Sequence, residues 1–411
     1  GENFDVGFLG AFEANEKFSE GKDFYAVRLR TKRDNLTVGY LGTYVNRPVI
    51  DRTAKVNAVD FEYRPSSIRR LSGTALASDV NGETGYGFNF GYGHDPSKNR
   101  HNGVGVFYVD EDLDMKDMGY LWRNNLLMIS GRASIKQTDF SQDSITRARK
   151  YEIAYSLKST SDFEKEPSGF SFSAENSFTN TSEIKAEVFY RTTGRDNLIT
   201  RKSALSPFIN MPKGYGVEVE YRGPSDDFLQ YGFEVDRRQG SRYSAALGWQ
   251  TSYQGKVSIS PADTLSLSLF YKHGQEEDWL NWLQDNVLGT YEKKQRTTIA
   301  GLQWFKGNKH ELRIKAQMVA FTARDPKAYL GDLYGNLNPS NINLSPVTLS
   351  ELAFQVRYRY ELMPLAYLYV VYTKGGRIVA DDTEDGLSEL YKRPWNEPQS
   401  DDFTVKLRYR F

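Results

Sequence analysis

The chain has no cysteine, which excludes a disulfide framework, thiolate metal ligands and covalent haem attachment. A thiol-free chain also suits passage through an oxidising compartment. No apolar run reaches about eighteen residues, so membrane helices are excluded. Histidine is scarce: His94, His101, His273 and His310 are the 4 in 411 residues. They are scattered over turns and strand ends and bring no Ser-His-carboxylate set into one neighbourhood, so the chain is expected not to be an enzyme. Formal net charge is zero, with 53 basic and 53 acidic residues, which leaves no surplus for nucleic acid. Against these absences stand 27 Tyr, 24 Phe and 34 Gly in a chain that is 26% charged. Aromatics in so polar a chain leave two classes: a large soluble β-protein, or a membrane β-barrel whose apolar face is hidden in alternation.

Alternation runs through the whole chain. Phe403, Val405, Leu407, Tyr409 and Phe411 fall on one side of an extended strand, and Thr404, Lys406, Arg408 and Arg410 on the other. The same sense recurs in Tyr25-Val27-Leu29, Val59-Phe61-Tyr63, Tyr86-Phe88-Phe90-Tyr92 and Tyr151-Ile153-Tyr155-Leu157. It continues in Tyr215-Val217-Val219-Tyr221, Leu229-Tyr231-Phe233-Val235, Leu265-Leu267-Leu269-Tyr271, Leu312-Ile314-Ala316-Met318 and Phe354-Val356-Tyr358-Tyr360. Many runs begin or end in Tyr or Phe, where an interfacial aromatic girdle belongs.

Connections alternate in length, as a barrel with both termini in the periplasm requires. Short turns are expected at Arg33–Asn35, Pro65–Ser67, Ser141–Ser144, Asn180–Ser182, Gly223–Asp226, Pro261–Asp263, Gly307–Lys309 and Met363–Leu365. Long connections are expected at Ala14–Asp23, Asn46–Lys55, Asp110–Asn124, Gly194–Lys213, Gln275–Glu292, Arg324–Thr348 and Val379–Asp402, with short ones near Asn81 and Gly240. The fold expected is a single-domain, all-β, transmembrane antiparallel barrel of about 20 strands, within 18–22. Gly1 is not an initiator and no signal peptide follows it, so a processed or truncated chain is expected.

Two resemblances point the same way. The terminal strand ending on Phe411 resembles the last strand of bacterial outer-membrane barrels, which the barrel assembly machinery reads. Residues 355–376, Q-V-R-Y-R-Y-E-L-M-P-L-A-Y-L-Y-V-V-Y-T-K-G-G, are similar to the penultimate hairpin of a family of outer-membrane barrels classed as a domain of unknown function. In many members that barrel follows a carbohydrate-binding family-nine-like domain. Val45-Asn46-Arg47-Pro48, Ala58–Arg64, Asp117–Arg123 and Ile259-Ser260-Pro261 fit the same family. The resemblance implies a bacterial outer-membrane location and a barrel architecture, and says nothing about cargo.

A barrel of this size has room for an aqueous lumen. By parity, Arg28, Arg30, Lys32, Arg313, Lys315, Arg357, Arg359, Lys406, Arg408 and Arg410 face inward as a basic wall. Glu152, Glu187, Glu218, Glu220, Glu234 and Asp236 face inward as an acidic wall. Opposed walls would orient charged solutes; ordinary lumen solvation, or pairing with an internal loop, accounts for the same residues. Inward Gly85, Gly87 and Gly91 let something pack closely against the wall. Asp110, Asp112, Asp114 and Asp117 form an acidic loop that could hold calcium, although Met115 and Leu121 rule out an EF-hand; otherwise no cofactor is expected. Asp381–Asp385 is a weaker acidic loop of the same kind. Trp279 and Trp282 have helical spacing in a loop, with Tyr329 and Tyr334 in another. These rings either stack on sugars at the external mouth or cover the barrel wall.

The function expected is a channel or partner-gated conduit for polar or charged solutes. The alternative is a loop- or domain-plugged barrel that anchors a binding function for a glycan or a surface or periplasmic protein. A plugged receptor is the weakest reading, because no segment long enough for a plug precedes the strands. Expected partners are outer-membrane lipid and lipopolysaccharide, the barrel assembly machinery and a surface or periplasmic protein.

Overall fold

The computed structural model describes residues 3–15, 20–201, 207–240, 247–380 and 386–409. The strands in the first part of the chain are β1 (Phe4–Phe12), β2 (Asp23–Arg33), β3 (Leu36–Arg47), β4 (Arg52–Ser66), β5 (Arg69–Val80), β6 (Glu83–Ser97), β7 (Arg100–Val109) and β8 (Leu126–Gln137). Then come β9 (Thr146–Ser159), β10 (Gly169–Phe178), β11 (Glu183–Arg191), β12 (Gly194–Asp196), β13 (Ile209–Met211), β14 (Gly214–Arg222) and β15 (Leu229–Gln239). The last are β16 (Trp249–Ala262), β17 (Leu265–Gln284), β18 (Val287–Lys306), β19 (His310–Gly331), β20 (Leu337–Ser340), β21 (Val347–Met363), β22 (Ala366–Ala380) and β23 (Ser400–Arg408), with one α-helix, α1 (Leu387–Asn396). Of the 23 strands among the described residues, only β12, β13 and β20 are shorter than nine residues, leaving twenty long ones. No helix among the described residues is long and apolar enough to cross a membrane.

The chain forms two compact units. In the first (Gly1–Gln137, Lys150–Phe172 and Arg191–Arg195), β1 to β8 pair in sequence, each antiparallel to the next. Register puts Val6, Leu29, Tyr40, Val59, Ala75, Phe88, Tyr108 and Leu127 in one cross-strand row. The neighbouring row, on the opposite face, begins Asp5, Arg30, Gly39, Asp60, Thr74 and Asn89. A period of two therefore sorts the unit into an apolar face and a polar face.

The second unit (Thr138–Arg149, Ser173–Tyr190 and Asp196–Phe411) repeats the arrangement. From β15 to β23 its apolar row reads Leu229, Ile259, Leu267, Leu302, Ile314, Val356, Tyr372 and Phe403. The adjacent polar row reads Gln230, Ser258, Ser268, Gly301, Lys315, Gln355, Thr373 and Asp402. Neither unit buries its apolar row: Val6 is 65% exposed, Phe233 50% and Phe403 69%. Buried apolar residues form only small clusters, Val109, Leu113 and Leu126 in the first unit and Ile209, Met211, Leu280 and Leu288 in the second.

Turn chemistry explains where strands reverse. Asn81 and Gly82 both take positive φ, 53° and 93°, the backbone of the tightest hairpin turn. The expected turns at Arg33–Asn35, Ser141–Ser144, Gly307–Lys309 and Met363–Leu365 are all present.

Four expected long connections are something else, and one of them, Arg324–Thr348, begins inside β19 and contains β20. Asn46–Lys55 is mostly strand, closed by a 3-10 turn at Pro48–Ile50 with Asp51 in the left-handed region. Gln275–Glu292 is the tip of a continuous hairpin whose turn has Asp285 at φ 45°. Helical spacing there was an artefact of a β-bulge: the register shifts between Glu276 and Trp279, and one extra residue breaks the period of two. Val379–Asp402 contains α1. The connection expected near Gly240 falls on 241–246, which lie outside the described residues.

Candidate functional site

The polar face of the first unit holds a recess of about 610 Å³ lined by Asp5, Arg28, Arg30, Asp60, Glu62 and Asn89, among others. Arg28 grips Asp60 with both terminal nitrogens, at 2.5 and 2.9 Å. Gly39 lies between them, and a Cβ there would stand 2.4 Å from the Arg28 guanidinium and 2.8 Å from the Asp60 carboxylate. The missing side chain makes room for the pair.

The connection between β7 and β8 folds over the same polar face. At Gly85 a Cβ would meet the backbone nitrogen of Leu113 at 2.2 Å, and at Gly87 its side chain at 3.1 Å. Two of the three glycines expected to admit a close neighbour do so, and the neighbour is this loop. Gly91 has no such covering: its nearest contact is Ser72 Oγ at 3.5 Å. Leu113 is 2% exposed, packed on Val109 and Leu126.

Charge pins the loop further along. Asp117 accepts hydrogen bonds from Arg47 Nη1 at 3.2 Å and Arg52 Nε at 2.9 Å, and Asp114 accepts one from Arg52 Nη2 at 3.0 Å. Burial alone would raise the Asp117 pKa, but the two guanidiniums outweigh it and hold the carboxyl below its ordinary value. Buried Arg123 and Glu166 form a further ion pair at the same end of the unit.

This geometry bears directly on the acidic loop read as a calcium site. Asp114 and Asp117 are engaged by arginines, and Asp110 caps the N–H groups of Leu113 and Tyr86 at 2.8 and 2.6 Å. Asp112 is exposed. Among the described residues no three His, Asp or Glu side chains are grouped to hold a metal ion.

In the second unit the expected inward charges share the polar face, with Glu218 opposite Asp236 and Glu220 opposite Glu234, but cations stand among the carboxylates. Arg238 pairs with both Asp236 and Glu218. Glu220 pairs with Arg222 at 2.8 Å, Glu187 with Lys185 at 2.9 Å, and Glu234 accepts from Gln254 at 2.8 Å. In the first unit Glu152 pairs with Lys150 at 3.0 Å, while Arg30 lines the recess and Lys32 is exposed beyond it. Parity gives the face of a side chain; only register gives its neighbours. The exception is a group where β19, β21, β22 and β23 meet, with Arg313, Lys315, Arg357, Arg359, Lys406 and Arg408 on one face. Arg410 and Phe411 lie outside the described residues, as does Asp381–Asp385. Phe403, Val405 and Leu407 oppose Tyr372, Val370 and Leu368 on the apolar face, and Tyr409 follows the end of β23.

The tryptophans do not form a joint platform. Trp279 lies on the polar face against Tyr291 and Phe321, ring centroids 6.0 and 6.3 Å away, with Lys293 4.7 Å above it. Trp282, three residues on, lies on the opposite face opposite Leu288, and its indole N–H donates to the Asp285 carbonyl at 2.9 Å. Tyr329 is in β19 opposite Pro339, and Tyr334 is 78% exposed. His101 meets Asp95 at 3.0 Å and His310 the Tyr358 hydroxyl at 2.6 Å, while His273 packs on Tyr253.

Sequence reasoning missed α1. Its Leu390 is buried, Trp395 packs edge-on against Phe354, and Tyr391 meets Thr298 at 3.2 Å, all on the apolar face of the sheet. The run Leu387, Leu390, Tyr391 and Pro394 carries the helical spacing that could have revealed it.

These elements define an all-β chain of large antiparallel sheets with one apolar and one polar face. The sequence model of the domain of unknown function DUF5916 matches residues 29–411. The chain belongs to that family. No curated protein matches it. Similar solved structures include the siderophore receptor PirA from Pseudomonas aeruginosa, with 7% identity, TM-score 0.46, and coverage of 90% of this chain and 76% of that one. The FrpB iron transporter from Neisseria meningitidis has 11% identity and TM-score 0.45, covering 94% and 63%. The copper transporter OprC has 7% identity and TM-score 0.46, covering 90% and 74%. Likenesses at these scores carry no argument about function.

Proposed function

We propose that this chain is a bacterial outer-membrane β-barrel that conducts polar or charged solutes, with the connection between β7 and β8 narrowing its lumen. The observation that carries the reading is the pair of cross-strand rows, one apolar and exposed, the other polar, running through both units. An exposed apolar surface of that extent needs a cover, and lipid supplies one to a closed barrel without leaving a free sheet edge. Lipid and lipopolysaccharide then contact the apolar rows, both termini lie in the periplasm, and the alternating residues of β23 serve the assembly machinery. The polar rows line water.

The pinned loop favours a gated conduit over a wide pore, since a partner or solute that competes for Arg47 and Arg52 would release it. No catalytic step is assigned, because His101, His273 and His310 lie at separate places with separate neighbours. No cofactor is assigned either: Asp110, Asp114 and Asp117 spend their oxygens on arginines and backbone donors.

Liposome swelling tests the reading. Vesicles reconstituted with the folded chain should swell in small neutral sugars and in amino-acid salts, with rates falling as solute size rises. Vesicles that stay impermeable to the smallest solutes, with the barrel folded in the bilayer, would overturn conduction and favour a plugged barrel that anchors a binding function.

A further inference from the structure

A departure from ordinary sheet design lies on the polar face where β19, β21, β22 and β23 run side by side. Register makes Arg313 and Arg357 direct cross-strand partners. Like charges placed directly opposite destabilise a strand pair, and natural proteins break such local rules chiefly at functional sites. Lys315 stands one rung away, opposite Gln355. On the other side Arg359 is opposite Glu311 and, across Tyr369, in row with Lys406; Arg408 ends the group opposite Tyr367.

Six cations thus share a patch with two carboxylates, Glu311 and Glu361. Glu311 is 2% exposed and joins Arg313 to Arg359, the latter at 2.9 Å. It orients two guanidiniums and neutralises one charge. Tyrosine rings hold the arginines from beneath, with Arg357 5.5 Å from the Tyr369 centroid and Arg359 5.3 Å from that of Tyr367. Among the described residues Lys315, Arg357, Lys406 and Arg408 have no ion-pair partner. On β14 and β15 the opposed carboxylates Glu218 and Asp236 have Arg238 among them, and Glu220 has Arg222. Here positive charge is concentrated, held in place and left open.

We infer that this patch is a binding site for a multivalent oxyanion, a small solute bearing carboxylate or phosphate groups. The guanidinium fork matches both groups by paired hydrogen bonds, and stacking on tyrosine removes much of the rotamer freedom that binding would otherwise have to freeze. The site names a cargo class for the conduit, so it rests on the polar face lining water.

Calorimetric titration of the folded 411-residue chain in non-ionic detergent at low salt tests it, with pyrophosphate and citrate as probes. Saturable binding of at least one is expected, tighter pyrophosphate indicating a phosphate-bearing solute and tighter citrate a carboxylate-bearing one. Arg357→Gln and Arg313→Gln should each weaken it about tenfold. Each removes one of two repelling charges, so the fold should tolerate them. Arg357→Lys should recover only part of the affinity, Lys98→Gln in the β6–β7 turn of the first unit should change nothing, and raising the salt should weaken binding. No heat from either probe, or equal affinities in wild type and Arg357→Gln, overturns the inference. The two readings separate: swelling without anion binding sinks the site and leaves the conduit, while binding without swelling sinks conduction and leaves the site.

Discussion

Replacing Asp117 by Asn should unpin the loop between β7 and β8. The Asp117 side chain is 4% exposed, and it faces Arg52 at 22% and Arg47 at 37%. Breaking a buried pair from one side costs roughly 3–5 kcal/mol. Two features lower that figure. The Arg47 end is more than a third exposed, where a pair is worth only about 0–1 kcal/mol, and Arg52 keeps Asp114 at 3.0 Å. Asn also retains one acceptor. The net loss should be about 2–3 kcal/mol, a shift of about 30–150-fold in the ratio of docked to open loop. Lys116 lies next to the pin and is exposed, so tryptic cleavage after it in the folded, detergent-solubilised protein reads the open population when reclosing is fast. The cleavage rate should rise by that factor. A rate within twofold of wild type would refute the claim that this carboxylate holds the loop.

Gly85→Ala attacks the same docking from the wall: its Cβ would sit 2.2 Å from a backbone nitrogen that cannot swing away. Cleavage after Lys116 should rise by at least tenfold, and Leu113→Ala, which empties a buried site at a cost of about 2–5 kcal/mol, should match it. Acid should loosen the loop as well. Asp117 has a folded pKa below its unfolded value, so its contribution is complete above the ordinary carboxylate range and is lost as pH falls through the depressed value. Hydrogen exchange around Leu113 to Asp117 should therefore be set by a constant opening equilibrium from about pH 7 to 5, and protection should fall below about pH 4; Asp117→Asn should flatten that acid limb. In the second unit, Leu390→Ala should release α1 from the apolar face, and Trp395 emission should shift to the red as it leaves Phe354. An unchanged spectrum would show that the helix does not depend on Leu390.

The strands were legible because each carries apolar residues on one face and polar residues on the other, a two-letter code that survives without any knowledge of neighbours. Gly85 and Gly87 were legible for a related reason, since a missing side chain on a strand asks what fills the space. The bulge at Glu276–Trp279 was not, because one inserted residue converts a period of two into something that imitates a helix over a short window. Which inward charges have an opposite charge beside them was not legible for want of register: Arg238 stands beside Glu218 only because of how β14 and β15 align. The pin between Arg52 and Asp117 joins residues 65 apart in sequence, a contact that no local pattern encodes. Arg313 and Arg357 were visible as inward cations, but that they oppose one another emerges only from the β19–β21 ladder.

The measurement that bears most directly on the account is single-channel conductance in planar bilayers, comparing the wild-type chain with Asp117→Asn. The account predicts a stable pore in the wild type and a larger or more frequent open level once the loop is unpinned. Silent membranes from both folded proteins, or conductance that is identical in the two, would contradict a conduit narrowed by the β7–β8 loop.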